Sequence, residues 1–162
     1  MKKASSKRGI GLLEIVIVSS IMVLVIIAII STTVLYFNIS EKTTNDIKVG
    51  YLLEEGVEAV KSMRDESWDD LITPLTASST YYLVFSNTKW QSTTTPSTID
   101  NIFLRSFSVY NVYRDSNDDI SITGTLDPDT KKLTVSLSWY DPSLKATSTS
   151  NLSTYITNLF SN

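Results

Sequence analysis

Apolar positions divide the chain into one continuous run near its start and a patterned remainder. Basic residues at four of the first eight positions precede Gly9, and no charged residue occurs from Ile15 to Phe37. As a helix these 23 residues rise about 34 Å, enough for the ~30 Å hydrocarbon core of a bilayer. Secretory signal peptides have a shorter apolar region of about 7–15 residues. This cluster of four basic residues precedes the run, whereas the first charges after the run are mixed in sign. We therefore predict a single membrane span with a cytoplasmic N-terminus and an external C-terminal domain.

The residues that follow the run repeat with a helical period. Between positions 47 and 71, the apolar residues Leu53, Val57, Val60, Met63, Trp68 and Leu71 recur at spacings of three and four. Such spacing is typical of one buried helical stripe. No proline occurs before Pro74, so we predict one helix with a membrane-spanning half over 10–37 and an amphipathic half over 38–72. Gly50 and Gly56 each lower helix propensity by about 1 kcal/mol, which predicts a break or bend near them.

The remaining sequence predicts a connecting loop and then a sheet. Residues 73–100 are rich in Ser and Thr and indicate a loop with one strand at Tyr81–Phe85. Residues 101–162 predict the sheet. Its strands are expected at 102–113, 120–125 and 133–140, with a final edge strand in the tail. Asp127-Pro128-Asp129-Thr130 places proline second in a turn and predicts a hairpin there.

These elements together predict an α+β fold. One long N-terminal helix is expected to pack on an antiparallel sheet of about four strands, with helix and strands segregated along the chain. The tail is ambiguous by pattern, because its apolar residues fit a helical spacing while its Thr, Tyr and Ile favour strands.

The amino-acid composition excludes several classes of functional site. The chain has no cysteine and no histidine, which excludes disulfides, thiolate nucleophiles, His-based triads and the usual zinc sites. Of 14 basic residues, 10 lie after Gly9 against 17 acidic ones, so that part carries a net charge of −7. A net-negative chain without a Lys/Arg cluster lacks the electrostatic signature of nucleic-acid binding. We find no catalytic constellation and predict that the protein is not an enzyme.

Gly9-Ile10-Gly11-Leu12-Leu13-Glu14, with the apolar run behind it, resembles the processing site of type IV prepilins and type II secretion pseudopilins. Four features agree with that pattern: the basic residues before Gly9, Gly9 itself, the position of Glu14 and the apolar run. The resemblance implies that an aspartic prepilin peptidase removes residues 1–9 as a leader, cleaving between Gly9 and Ile10, and N-methylates Ile10. It also implies that Glu14 recruits each subunit into a helical filament, and that the fold is a long helix on an antiparallel sheet.

Glu14 is also unusual on physical grounds. A carboxylate near the centre of a membrane helix costs about 2.5–3.5 kcal/mol on insertion scales, so a partner is expected unless Glu14 only marks the interfacial boundary. Cleavage would create a cationic amine on Ile10, which the Glu14 carboxylate of a neighbouring subunit would neutralise.

The resemblance also implies partners and a location. The partners are the prepilin peptidase, other pilin or pseudopilin subunits, the membrane assembly platform and the lipid bilayer. The subunit would reside in the cytoplasmic (inner) membrane and then in an extracellular or periplasmic filament. Residues 51–71 resemble, less specifically, the helix of minor pilins. The alternative is an uncleaved single-pass membrane protein that displays an extracytoplasmic binding domain. A surface hydrolase with a signal anchor is disfavoured, because no glycine-framed serine elbow accompanies the missing His and Cys.

Acidic residues in two loops offer a possible calcium site. Its candidate ligands are Asp115, Asn117, Asp119, Asp127 and Asp129. Hard oxygen ligands suit Ca²⁺. An EF-hand is rejected, since Ile120 occupies the position of the turn glycine and Leu126 that of the bidentate glutamate. Asp and Asn are also ordinary residues of tight turns, so both interpretations stay open.

The three tryptophans raise the question of an aromatic binding surface. Trp68 and Trp139 fall on faces that are predicted to be buried, so they are expected in the core. Trp90 lies in the Ser/Thr-rich stretch and is the remaining surface candidate.

Overall fold

A computed structural model of the protein describes residues 8–142 and 144–159, with side chains from residue 11 onward. Helix α1 spans Arg8–Glu66, and a π-helical turn follows at Trp68–Ile72. Residues 1–46 and 47–162 form two separate compact units. The prediction of one helix running from the apolar run into the amphipathic half is confirmed. The expected break near Gly50 and Gly56 is wrong, because α1 is continuous through both.

Seven antiparallel strands form the sheet of the second unit. They are β1 Tyr81–Ser86, β2 Lys89–Thr93, β3 Thr98–Ile99, β4 Phe103–Arg114, β5 Ile120–Ser121, β6 Thr125–Asp141 and β7 Ala146–Thr157. The spatial order is β2-β1-β4-β6-β7, and β3 and β5 both pair with β4. The α+β arrangement is confirmed, and so is the final edge strand, but the predicted count of four strands is too low.

In 73–100, which was predicted to be loop with one strand at Tyr81–Phe85, that strand is confirmed as β1, and β2 and β3 are additional. Strands β1 and β2 form a hairpin in which Ser86 pairs with Lys89, leaving a two-residue turn of Asn87 and Thr88. Both turn residues have positive φ, at 52° and 64°. Such a turn usually carries a glycine, as in Asn-Gly. The hairpin was missed because threonine stands in that position.

The predicted turn at 127–130 is also wrong, since these residues lie inside β6. Asn111 of β4 pairs with Lys131 and the next residue, Val112, pairs with Asp127, so residues 128–130 bulge out of the β4–β6 ladder. Pro128 lacks an N–H to donate, and a bulge is one of the few places where a strand accepts proline.

The C-terminal part of α1 packs on one face of the sheet and forms the core. Helix residues Val49, Leu53, Val57, Val60 and Met63 are buried with the sheet residues Phe103, Phe107, Val109, Leu133, Val135, Leu137 and Ile156. The predicted stripe is therefore confirmed along α1 and at Trp68. The predicted stripe is wrong at its last position: Ile72 is buried, and Leu71 is only partly buried. The reason is that a π-helical turn changes the angular spacing of side chains.

Gly56 is the point of close approach between helix and sheet. A Cβ atom at this position would lie 2.7 Å from Val135 Cγ1 and 3.1 Å from Arg105 Cδ. Real Cβ contacts are longer than the first of these distances, so any side chain here requires the sheet to move. Gly56 is thus a packing residue rather than a helix breaker.

A buried arginine joins the same two elements. Arg105 of β4 is 6% exposed, and its Nη1 donates to Leu52 O of α1 at 3.0 Å and to Glu55 Oε2 at 2.5 Å. Its guanidinium carbon lies 5.5 Å from the centre of the Trp90 ring, in the range of a cation–π contact. Trp90 is therefore packed against the core and is not the free surface residue that was predicted, while Trp139 is partly buried beside Phe103.

Candidate functional site

The first candidate site is the N-terminal part of α1. The bond between Gly9 and Ile10 lies within α1, next to Arg8, the first residue of the chain that the structure describes. Residues 1–7, which are predicted to belong to a leader, fall outside the described residues.

A continuous apolar surface follows this bond. Every large apolar side chain from Leu12 to Ile39 is between 49% and 71% exposed. Soluble monomers rarely expose apolar patches of more than a few hundred Å², so this surface requires lipid or protein around it. The helix is long and apolar enough to cross a membrane, judged by length and composition.

The hydroxyl groups within this surface find partners in their own helix. Ser20, Ser31, Thr32 and Thr33 each donate to the carbonyl four residues earlier, at 2.7–2.9 Å. Ser19 donates to Val16 O at 3.0 Å. In lipid, a polar group must be satisfied internally or it costs several kcal/mol. The serines and threonines of the run are therefore compatible with an apolar environment.

Glu14 is the one acidic or basic side chain between residues 11 and 40. It is exposed, and no hydrogen bond or ion pair joins it to another side chain within 11–142 and 144–159. A carboxylate next to such an apolar surface needs a cation once that surface is covered. Among the described residues, the geometry thus combines an uncovered apolar face with one negative charge that has no described partner.

No protein-family model, curated protein or solved structure matches this chain. Functional assignment therefore depends on the residues of the chain and on their arrangement.

The second candidate site is the acidic region at the ends of β4 and β6. Asp115 Oδ1 accepts hydrogen bonds from the backbone N–H groups of Asn117 at 2.8 Å and Asp119 at 3.1 Å. Asp127 Oδ1 accepts from the Asp129 N–H at 3.0 Å, and Asp129 Oδ1 accepts from Asn158 Nδ2 at 3.2 Å. These are the bonds of tight turns and of a bulge.

Two of the calcium candidates, Asp115 and Asp127, line one pocket together with Arg114 and Asp118. Within the described parts of the chain, no group of three or more acidic residues is arranged to hold a metal ion. Arg114 stands between the two segments, where its Nε donates to Asp127 Oδ2 at 2.6 Å and its Nη1 donates to Asp118 O at 2.8 Å. A guanidinium in this position supplies the positive charge that a cation would supply. The tight-turn interpretation fits these contacts, and we propose no calcium site.

Arg114 was not among the residues singled out from the sequence. Its effect on Asp127 is clear: the hydrogen bond from the guanidinium lowers the pKa of the Asp127 carboxyl, and the pKa of Arg114 is raised in return. Arg114 falls four residues before Asp118 in a run of Asp residues. That i,i+4 placement only weakly indicates an ion pair with Asp118. The contact with Asp127 could not be read from the sequence, because it depends on the bulge at residues 128–130 of β6.

The Arg114–Asp127 pair predicts an acid-dependent loss of stability. A carboxyl whose pKa is lowered by folding stabilises the fold above its unfolded pKa of about 4 and loses that contribution as the pH falls through the lower folded value. We expect Asp127→Asn to lower the urea midpoint at pH 7 and to reduce the decline of that midpoint below about pH 4.

Asp118→Asn is the matched control for this variant. The Asp118 side chain is 85% exposed, and its Oδ1 lies 3.6 Å from Arg114 Nε. An exposed pair of this kind contributes little. Equal effects of the two substitutions on the acid profile would contradict the role given to Asp127.

Proposed function

We propose that the chain is a structural subunit of a type IV pilus or type II secretion pseudopilus. In this proposal a prepilin peptidase cleaves after Gly9 and methylates Ile10, and the subunit then polymerises through the N-terminal part of α1. The subunit acts mechanically and is a substrate of the peptidase, not a catalyst. Before assembly it spans the cytoplasmic (inner) membrane with its C-terminal unit outside, in contact with the assembly platform.

The order of features at the start of the chain carries this proposal. Basic positions, Gly9, Ile10 and Glu14 precede the apolar run at the spacing of a prepilin site. Two structural features support it. The run is helical with its apolar side chains uncovered, and α1 continues into a unit in which a helix packs on an antiparallel sheet.

The charge of Glu14 gives the proposed assembly a physical basis. Two opposite unit charges about 4 Å apart attract by about 4 kcal/mol at an effective dielectric constant near 20. That attraction is comparable to the ~2.5–3.5 kcal/mol cost of a carboxylate within a membrane helix. A filament that pairs Glu14 of one subunit with the Ile10 amine of the next would therefore offset a large part of the cost of burying the two charges.

Cleavage is the experiment that tests the proposal. Expressed with an active prepilin peptidase, the full chain should lose the mass of Met1–Gly9 and gain one N-methyl group on Ile10. Without the peptidase, the intact mass should be that of the whole sequence. Intact-mass spectrometry of membrane extracts measures both states.

Two glycine variants provide the control for cleavage. Gly9→Val alters the residue on the leader side of the bond and should block cleavage. Gly11→Ala lies one residue beyond Ile10, where a Cβ meets nothing within 4 Å, and should be cleaved like the native chain. Recovery of the uncleaved native chain from cells with active peptidase would overturn the proposal. It would instead favour the uncleaved single-pass membrane protein.

A separate prediction concerns assembly. Glu14→Gln keeps the size of the side chain and removes its charge, so we expect normal cleavage but at least about a tenfold lower yield of subunit in sheared filaments. Glu41→Gln is the control, because Glu41 lies on the same helix beyond the apolar run. Quantitative mass spectrometry of filament fractions gives the yield. Normal incorporation of Glu14→Gln would refute the role of this carboxylate.

A further inference from the structure

Exposed apolar side chains gather at one end of the sheet in the C-terminal unit. Leu104 of β4 pairs with Ser138 of β6, and Tyr140 of β6 pairs with Thr147 of β7. The start of β4, the end of β6 and the start of β7 therefore lie at the same end of the sheet. At this end, the side chains of Tyr140 and Leu144 are 59% and 67% exposed.

The first residues of the unit, which belong to α1, lie at the same end. Lys48 Nζ is 3.8 Å from Asp100 Oδ2, and Asp100 lies in the turn that precedes β4. Close to these two residues in sequence, Ile47 and Ile102 are 56% and 52% exposed. We call this surface the entry surface, because the chain enters the unit here. The entry surface consists of Ile47, Ile102, Tyr140 and Leu144.

The opposite end of the sheet also exposes apolar residues, but it is acidic. Ile120 pairs with Arg114 at the far end of β4, and Ile122 is 95% exposed. Three carboxylates lie in the loop between β4 and β5, on Asp115, Asp118 and Asp119. A carboxylate resists the partial loss of water that contact with an apolar environment requires. The two ends of the sheet therefore differ in charge and not in apolar exposure.

The charged residues near the entry surface are compatible with a lipid interface. The carboxylate of Asp100 faces Lys48, and Asp141 Oδ1 accepts a hydrogen bond from the Leu144 N–H at 3.4 Å. Lys145 can lay its aliphatic stem along apolar surface while its ammonium group stays in water. Tyrosine, here Tyr140, is enriched where proteins meet the lipid headgroups. The entry surface thus has the residue types of a membrane interface.

The chain keeps the entry surface close to the apolar run. Ile47 follows Phe37, the last residue of the run, by ten positions, and all of them belong to α1. At about 1.5 Å per residue they extend about 15 Å along the helix. The headgroup region covers about 5–8 Å outside each face of the hydrocarbon core. A tethered surface has a high effective concentration at its binding site, so even a small apolar contact is populated.

We propose that the entry surface rests on the lipid headgroups of the membrane that the apolar run spans. The proposal depends on the membrane span of the proposed function, but on neither cleavage nor filament assembly. The contact holds the C-terminal unit in one orientation at the membrane before assembly. A subunit that leaves the membrane must give up this contact together with the lipid around its run.

Single cysteines can report this contact, because the chain has none of its own. The full uncleaved chain, made without peptidase and reconstituted in phosphatidylcholine vesicles, would carry a fluorescent maleimide at Leu144→Cys. Lipids with a nitroxide on the headgroup should quench this label at least about threefold more strongly than the same label at Ile122→Cys. The control lies at the opposite end of β4, whose 12 residues extend roughly 37 Å. Equal quenching at the two positions would overturn the proposal.

A label within the run separates this proposal from the proposed membrane span. Leu24→Cys should be quenched by lipids that carry the nitroxide on an acyl chain. If the label at position 24 is quenched but position 144 is quenched no more than position 122, the span stands and the entry-surface contact is refuted. If the label at position 24 is not quenched, both are refuted.

Substitution at the entry surface tests which side chains make the contact. With the label moved to Ala146→Cys, an exposed position at the start of β7, Leu144→Asp should reduce the quenching by headgroup nitroxides at least about twofold. Ile122→Asp, the matched change at the opposite end, should leave the quenching unchanged. Ile102→Asp is a second variant of the entry surface, and tryptophan fluorescence checks that each variant folds. Unchanged quenching in both entry-surface variants would contradict a lipid contact made by these residues.

A second copy of the chain is the alternative occupant of the entry surface. Because the proposed contact joins each chain to its own membrane, quenching at position 144 should stay constant when the vesicles contain about tenfold less protein per lipid. Quenching that increases on this dilution would show that another copy covers the surface at the higher density, and it would overturn the proposal.

Discussion

Gly56→Leu should cost about 3 kcal/mol of the unfolding free energy of the C-terminal unit, and Gly56→Ala about 1–2 kcal/mol. Even a single Cβ would stand 2.7 Å from Val135 Cγ1, and Val135 is 0% exposed, so it must shift within the core. The clash outweighs the gain in helix propensity of about 1 kcal/mol that alanine brings. A loss of 3 kcal/mol is a large fraction of the ~5–15 kcal/mol typical of a domain.

The same substitution at Gly50 is the matched control. A Cβ at Gly50 meets nothing within 4 Å, so Gly50→Ala should raise the unfolding free energy by about 0.5–1 kcal/mol. Trp68, Trp90 and Trp139 all lie in residues 47–162, so urea unfolding of the detergent-solubilised chain, followed by tryptophan fluorescence, reports on this unit. If alanine at position 56 stabilised the unit as it does at position 50, the close packing of helix on sheet would be disproved.

Arg105→Ala should lower the unfolding free energy by about 2–4 kcal/mol, since it empties a buried site between α1 and the sheet. The substitution removes the hydrogen bonds from Arg105 to Leu52 O and Glu55, together with the contact between Arg105 and Trp90. Packing is expected to dominate this loss over the ion pair. The Glu55 side chain is 50% exposed, and an ion pair whose partner is in solvent contributes little.

Two further variants separate packing from charge at this site. Arg105→Met keeps the length of the side chain and should stay within about 1.5 kcal/mol of the native protein. Its thioether also removes the need for a partner at Arg105 Nε, which is buried and has no hydrogen-bond partner in the structure. Glu55→Gln should cost less than about 1 kcal/mol. A loss at Arg105→Met as large as at Arg105→Ala would show that the charge itself stabilises the unit.

The helix and the longer strands were predictable because their patterns are local. The three- and four-residue spacing of α1 and the alternation of β6 and β4 place side chains inward or outward without knowledge of the rest of the chain. The same alternation of Phe103, Arg105, Phe107 and Val109 places Arg105 on the inner face. Its burial was therefore readable from the strand period, although its charge suggests solvent.

The features that were missed depend on contacts between distant segments. Pro128 looks like a turn residue in isolation, and only the shifted pairing of β4 with β6 shows that it lies in a bulge. Gly56 looks like a helix breaker until Val135 is placed opposite it. The acidic residues near Asp115 suggest metal ligands or tight turns, and only the fold shows that Arg114 donates a hydrogen bond to Asp127 in the same region.

The hydroxyl groups of the apolar run have one more consequence. Because Ser20, Ser31, Thr32 and Thr33 bond to carbonyls of their own helix, none of them needs a particular neighbour. Their hydrogen bonds stay the same whether lipid chains or other helices surround the segment. The hydrogen bonds of the run therefore do not change when other helices replace lipid around it, and Glu14, just before the run, is the group whose surroundings must change.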